Sequence, residues 1–147
     1  FSRAELESRA EIKYEIYSKA INIEAKTMID MATKQIIPAV IRYTTVLGES
    51  INTVKTAGEG LIDVSVRLDL LKKASRLLKA ANSAMSKLSK LVEKIPEYAE
   101  GRDRAVFCRE KVVPAMEALR EPVDELEMIV DKEMWPMPSY GDLVFEV

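Results

Sequence analysis

Apolar residues recur every three or four positions through the first third of the chain, with a mean spacing of about 3.6 residues. This period predicts one long amphipathic helix over residues 2–57. Pro38 lies inside it and removes one backbone hydrogen bond, so we expect a kink there instead of an end. The two glycines of "AGEG", residues 57–60, predict the end of the helix and a reversal of the chain. The periodic apolar positions are Tyr14, Tyr17, Ile21, Ala25, Met28, Ala32, Ile36, Ala39, Tyr43, Leu47, Ile51 and Val54.

Two further periodic segments predict two shorter helices. Over residues 63–95 the apolar positions alternate in steps of three and four, a heptad pattern typical of closely packed helices. A third helix is expected over residues 102–134, where Pro114 and Pro122 interrupt the apolar face. Pro122 either kinks this helix or begins a new one, since proline before acidic residues is frequent in a first turn. The sequence therefore predicts an all-α fold, in which residues 1–134 form an antiparallel bundle of three long helices.

The three predicted helices differ in length. At about 1.5 Å per residue, the first would extend roughly 80 Å and the other two roughly 50 Å each. About 20 residues of the first helix should then extend beyond the bundle. The apolar residues Ile12, Tyr14, Ile16 and Tyr17 lie in this part, and we expect the tail, a second copy or the rest of a longer protein to cover them.

The last residues, "WPMPSYGDLVFEV" at 135–147, have a different character. Prolines at alternate positions predict an extended backbone, and Tyr-Gly-Asp predicts a turn. Burying each large apolar side chain here would contribute roughly 1.5–3 kcal/mol, so we expect this tail to dock. The pattern leaves open whether it docks on its own bundle or on a neighbouring domain. The interface candidates are Trp135, Tyr140, Leu143 and Phe145.

Length and charge narrow the class of protein. A chain of 147 residues with 48% hydrophobic residues suits one domain with one core. The 22 basic and 24 acidic residues leave a formal charge of -2, so we expect no nucleic-acid partner. Charged residues interrupt every apolar run, so we expect no membrane span and a cytoplasmic protein. The chain starts at Phe1 within a pattern typical of a helix interior, which suggests a piece of a longer protein.

Few residues in the chain could carry catalytic chemistry. The chain has no histidine, one cysteine and five glycines, which disfavours zinc sites, disulfides and phosphate-binding loops. Glu24 and Asp30 are six residues apart and point to different faces of a helix, so packing or salt links explain them better than acid-base or metal chemistry. Cys108 is expected to be a buried, inert thiol. The sequence thus predicts no catalytic, cofactor-binding or metal-binding residue.

Two strings give the chain a family resemblance. "YSKAINIEAKTMIDMATKQIIPAVIRY", residues 17–43, and "VVPAMEALREPVDELEMIVDKEMWPMPSYGDLVFEV", residues 112–147, resemble the C-terminal helical domain of type III glutamine synthetases. The middle third matches only in being helical. The resemblance implies a parent ligase that joins ammonia to glutamate through a γ-glutamyl phosphate, with ATP and divalent cations, Mg or Mn. It also implies an upstream catalytic domain and neighbouring subunits, in stacked hexameric rings, as partners.

In that family the catalytic and metal-binding residues lie upstream, so none is carried over to this chain. The resemblance implies a structural or assembly domain that is inactive alone. One alternative is a regulatory contact through the exposed lysines predicted for the second helix, although a solvated helix face explains these charges more simply. A second is an independent helical scaffold that self-associates, and a third is a helical enzyme with a carboxylate-bound metal.

Overall fold

Helices make up most of residues 2–137, the part of the chain that the computed structural model describes. No strand occurs in this range, so the predicted all-α class is confirmed. Two π turns and one 3₁₀ turn, Ala32–Ile36, Cys108–Val112 and Ile95–Glu97, join or extend the helices. The α-helices are α1 (Arg3–Met31), α2 (Ile37–Ala57), α3 (Ser65–Lys94), α4 (Arg102–Phe107) and α5 (Val113–Ile129).

These elements form three helical stretches close to the three predicted ones. The first runs from Arg3 to Ala57, and the Ser2 hydroxyl accepts the Glu5 backbone N–H at 3.2 Å ahead of its first turn. The second begins at Ser65 and passes into a 3₁₀ turn at Ile95, as the proline at position 96 leads one to expect. The third ends at Ile129, five residues before the predicted end at residue 134.

Both π turns precede a proline by two residues. A proline ring in a regular α-helix would collide with the carbonyl four residues earlier, which belongs to Lys34 for Pro38 and to Glu110 for Pro114. Both carbonyls lie inside a π turn, where the wider backbone gives the ring room. Pro122, by contrast, lies buried inside α5 and does not begin a new helix, which decides the alternative that the sequence left open.

The glycine pair after α2 ends this helix as predicted. The Gly58 N–H donates to the Val54 carbonyl at 2.9 Å, and the Gly60 N–H donates to the Lys55 carbonyl at 2.9 Å. Glu59 and Gly60 have φ angles of 53° and 77°. Two successive left-handed residues cannot continue a right-handed helix, so the chain turns here.

Asp63 lies just before α3 and binds the backbone at the start of this helix. Its carboxylate accepts the Ser65 backbone N–H at 2.8 Å, and bonds to Ser65 lower the pKa of Asp63, with burial acting weakly in the opposite direction. A carboxylate near a helix N-terminus is also favoured by the helix dipole.

Replacing Asp63 by alanine should lower the melting temperature of the chain slightly at neutral pH. Because the folded-state pKa is depressed, this contribution is present above the unfolded pKa of about 3.9 and is lost as the pH falls through the folded value. Thermal unfolding at several pH values measures this. Asp63→Asn, which keeps an acceptor without the charge, is the matched control. A difference between wild type and Asp63→Ala that persists in strong acid would contradict the assignment.

The described chain divides into two compact units. The first comprises the residues up to Met31 together with Ser83–Leu119. Arg104 holds its inter-helix loop by donating to the Tyr98 carbonyl at 3.0 and 3.1 Å, and the Tyr98 ring stacks on Phe107 at a centroid distance of 4.0 Å. The buried apolar residues of this unit are Ile21, Ala25, Leu88, Val92, Ile95, Ala105, Phe107, Cys108, Val112, Met116 and Leu119.

The second unit comprises Ala32–Asn82 and the described chain from Arg120. Arg67 of α3 donates to the Ser50 hydroxyl of α2 at 3.0 Å. Burial raises the pKa of the Tyr43 phenol, and the Asp131 carboxylate adds to this effect. The buried apolar residues of this unit are Ala32, Ile36, Ala39, Val40, Tyr43, Leu47, Ile51, Ala74, Leu77, Ala81, Leu126, Val130 and Trp135.

Asp131 explains why the last helix is shorter than predicted. Its side chain accepts the Glu133 N–H at 2.9 Å, and its carbonyl accepts the N–H groups of Met134 and Trp135 at 2.9 and 3.0 Å. These bonds form a turn that replaces another helical turn. The apolar period continues through this segment, so periodicity alone did not reveal the turn.

Candidate docking surfaces

The carboxylates considered for catalysis do not form a site. Glu24 and Asp30 are both exposed on α1. The nearby Thr27 hydroxyl donates to the Ile23 carbonyl at 2.9 Å, which is ordinary helix bonding. Within residues 2–137, no group of three or more His, Cys, Asp or Glu side chains is placed to hold a metal ion.

Cys108 is fully buried in the first unit. Burial raises the pKa of its thiol, while the Ser18 hydroxyl and the Arg104 charge act in the opposite direction. The Ser18 hydroxyl is also buried and lies beside this thiol. A thiol that is both inaccessible and hard to ionise is a poor nucleophile.

We expect Cys108 in the folded chain to react slowly with a thiol reagent at pH 8. Denaturant should remove the protection, because the thiol then becomes accessible and its pKa returns to about 8.5. Labelling followed by mass spectrometry, with and without denaturant, measures the ratio of rates. Equal rates in the two conditions would show that the thiol is accessible in the fold.

A small cavity lies in the first unit beside Ser18, with a volume of about 70 Å³. It has room for only a few water-sized molecules. Two of its charged side chains have partners: Lys19 pairs with Glu15 at 3.0 Å, and Arg104 bonds to backbone carbonyls. The cavity therefore does not suit a nucleotide or an amino-acid substrate.

The tail residues proposed for docking fall into two groups. Trp135 is 7% exposed in the second unit, and its indole N–H has no hydrogen-bond partner. The sequence predicted that Trp135 needs to be covered, and the second unit of this chain covers it. Tyr140, Leu143 and Phe145 lie outside the described residues.

A shallow apolar groove separates α1 from α4 in the first unit. It has a volume of about 320 Å³, and its lining includes Lys13, Tyr14, Tyr17, Val106 and Arg109. Tyr14 is half-buried, so α4 provides part of the cover that the sequence led us to expect from elsewhere. Ile12 and Ile16 receive no such cover and remain more than half exposed.

Two groups of large apolar side chains stand out on the described surface. Ile12, Ile16 and Ile23 form the first, which we call the outer face of α1, and are 54%, 63% and 65% exposed. The second comprises Leu61 and Ile62 in the connection between α2 and α3 and Val66 in the first turn of α3, all of them exposed. Clustered exposed apolar residues of this kind mark interaction sites more often than chance.

The fold defines a class: an all-helical domain that exposes groups of large apolar side chains in its described part. No helix within residues 2–137 is both long and hydrophobic enough to cross a membrane. The family model of the glutamine synthetase C-terminal domain matches residues 1–55.

Three relatives match almost the entire chain. The type-3 glutamine synthetase of Dictyostelium discoideum is 31% identical over 98% of the chain. The glutamine synthetases of Bacteroides fragilis and Butyrivibrio fibrisolvens are each 29% identical, over 99% and 100% of it. The chain spans only about a fifth of the length of each relative.

The chain is therefore homologous to the type-3 glutamine synthetases and, over residues 1–55, to the family of glutamine synthetase C-terminal domains. This confirms the family resemblance that the two strings predicted.

Proposed function

We propose that the chain is a structural part of a longer cytoplasmic glutamine synthetase. One observation carries the proposal: relatives with this activity in their names match the whole chain, which covers only about a fifth of their length. The complete enzyme would join ammonia to glutamate with ATP and Mg or Mn. It would do so with residues that lie outside these 147.

The composition of the chain supports a role without catalysis. It has no histidine, and its one cysteine is buried with a raised pKa. Glu24 and Asp30 are both exposed on α1, and the cavity beside Ser18, about 70 Å³, has room for only a few water-sized molecules. We infer that this chain alone makes no glutamine.

The finer architecture belongs to the same proposal. The three helical stretches would pack as an antiparallel bundle, kinked near Pro38, followed by a tail from residue 135. Tyr140, Leu143 and Phe145 would dock on the catalytic part or on a neighbouring subunit of a homo-oligomer, in stacked hexameric rings. The apolar composition of this tail supports the idea, since each large side chain left in water forgoes roughly 1.5–3 kcal/mol.

The test uses the full-length product of the gene. Glutamine formation from glutamate, ammonia and ATP is measured together with the mass of the assembly, beside a version that ends before Phe1 and a version that lacks only residues 138–147. We expect the full-length protein to be active. The version without this domain should be inactive or should form a smaller assembly.

Each outcome has a clear meaning. A full-length product that makes no glutamine would overturn the proposed activity. If removing the domain changed neither activity nor mass, the structural role would be wrong although the activity would stand. If only residues 138–147 were dispensable, docking by the tail would be refuted and the helices would carry the role.

A further inference from the structure

α1 has two apolar faces instead of one. Its buried face carries Ser18, Ile21 and Ala25. Counted at about 100° per residue from Ile12, the isoleucines at 16 and 23 lie about 40° and 20° away, whereas the three buried residues lie roughly 180–240° away. The outer face is thus opposite the packed face. The first unit buries one apolar face of α1 and leaves the other exposed.

Isoleucine is an unfavourable residue at an exposed helix position. Its β-branched side chain loses rotamer freedom in a helix, and alanine, lysine or glutamate would each favour the helix more. The outer face nevertheless has isoleucine three times within twelve residues, each more than half exposed. A partner that buries these side chains gives a physical reason for them.

Charge argues against a second copy of the same face as the partner. In an antiparallel pair that sets Ile12 opposite Ile23, Arg9 falls opposite Lys26 and Glu5 falls opposite Asp30. All four charged residues are exposed and lie within about 60° of the isoleucines. A parallel pair sets every charge against its own copy. Both arrangements bring like charges together, which disfavours them.

The additional length of the relatives points to a different partner. About four fifths of each matched relative lies beyond the region that this chain covers. The outer face also falls within residues 1–55, the part that the family model of the domain matches. Charged residues of both signs flank the isoleucines, namely Glu5, Arg9, Lys19, Lys26 and Asp30, so a complementary surface would match this face chiefly through apolar side chains.

We propose that the outer face of α1 docks against an apolar surface on the remainder of the same glutamine synthetase. This inference rests on the proposed function, because it requires that the longer enzyme exists. The inference goes beyond the proposed function by assigning the contact to Ile12, Ile16 and Ile23. The tail plays no part in this contact.

Photo-crosslinking in the full-length enzyme tests the assignment directly. A photo-reactive phenylalanine analogue replaces Ile16, and the same analogue replaces Met128, which is 86% exposed on α5, as the matched control. After illumination, peptides joined to position 16 are identified by mass spectrometry. We expect the crosslink to reach a peptide outside these 147 residues, and the control position to give little or none of this product.

A paired substitution gives a second measurement. Ile16→Glu with Ile23→Glu should leave α1 helical, since both side chains are exposed and glutamate favours helices. Amide exchange over residues 12–23 of the full-length enzyme should become about tenfold faster, because the cover is lost. Met128→Glu should leave exchange in this segment unchanged. Ile16→Val, which keeps an apolar surface, should retain most of the protection.

The outcomes separate this inference from the proposed function. If the enzyme makes glutamine but position 16 crosslinks to no peptide, to the outer face of another copy or to residues 138–147, the inference is wrong and the proposed function stands. Unchanged exchange in the paired variant would also overturn the inference. If the full-length product makes no glutamine, the proposed function fails, whatever the crosslink shows.

Discussion

Replacing Leu88 by alanine is expected to lower the free energy of unfolding by about 3 kcal/mol. Leu88 is fully buried in the first unit. The substitution removes apolar contacts and leaves a cavity that its neighbours fill only in part. A domain of this size has a total stability of roughly 5–15 kcal/mol, so the loss is a large fraction. Urea unfolding followed by circular dichroism measures it as a lower midpoint with an unchanged slope.

Leu61→Ala is the matched control for this measurement. It deletes the same atoms from a side chain that is 87% exposed at the connection between α2 and α3. Its effect should stay within about 0.5 kcal/mol, because a surface side chain loses few contacts. Similar losses of unfolding free energy at the two positions would show that Leu88 is not a core residue.

Replacing Gly101 by alanine is expected to destabilise the chain by about 1–3 kcal/mol. Gly101 is buried directly before α4, with φ 94° and ψ -137°, a region open to glycine and costly for other residues. A Cβ at this position would also collide with the Glu11 carboxylate, which would have to move. Thermal and urea unfolding both report the loss.

Gly48→Ala is the same substitution, but it should change the stability in the opposite direction. Gly48 lies inside α2, where an added Cβ meets nothing within 4 Å. Alanine should stabilise this helix by about 0.5–1 kcal/mol, because it restricts the unfolded chain and favours the helical backbone. A stabilising Gly101→Ala, or a destabilising Gly48→Ala, would contradict the backbone geometry described above.

The two exposed apolar groups have different consequences for the complete enzyme. The opposite face of α1 is already buried in the first unit. A partner could therefore bind the outer face of α1 without rearranging the domain. Leu61 and Ile62 lie instead in the connection between α2 and α3, and Val66 lies in the first turn of α3. This connection is a further surface to include in an interface map of the complete assembly.

The sequence allowed the helices to be located with good accuracy. The period of 3.6 residues, Pro96 and the glycines at 58 and 60 are local signals, and the helix backbone is itself local, so the signals and the structure agree. The same period predicted most of the buried residues of α2, including Ala39, Tyr43 and Leu47. It also separated Glu24 from Asp30, because their spacing fixes their directions on a helix.

The sequence also predicted the family, through two strings that resemble it, and it disfavoured a catalytic site through the lack of histidine and of glycine-rich loops. Only the tertiary structure decided which apolar residues are covered. Leu77 and Phe107 are buried, and so is Trp135, which follows a turn at Asp131. Ile12, Ile16 and Ile23 stay exposed although they are equally apolar. The physical reason is that periodicity fixes the direction of a side chain on its own helix, whereas burial depends on which other segment packs against that direction.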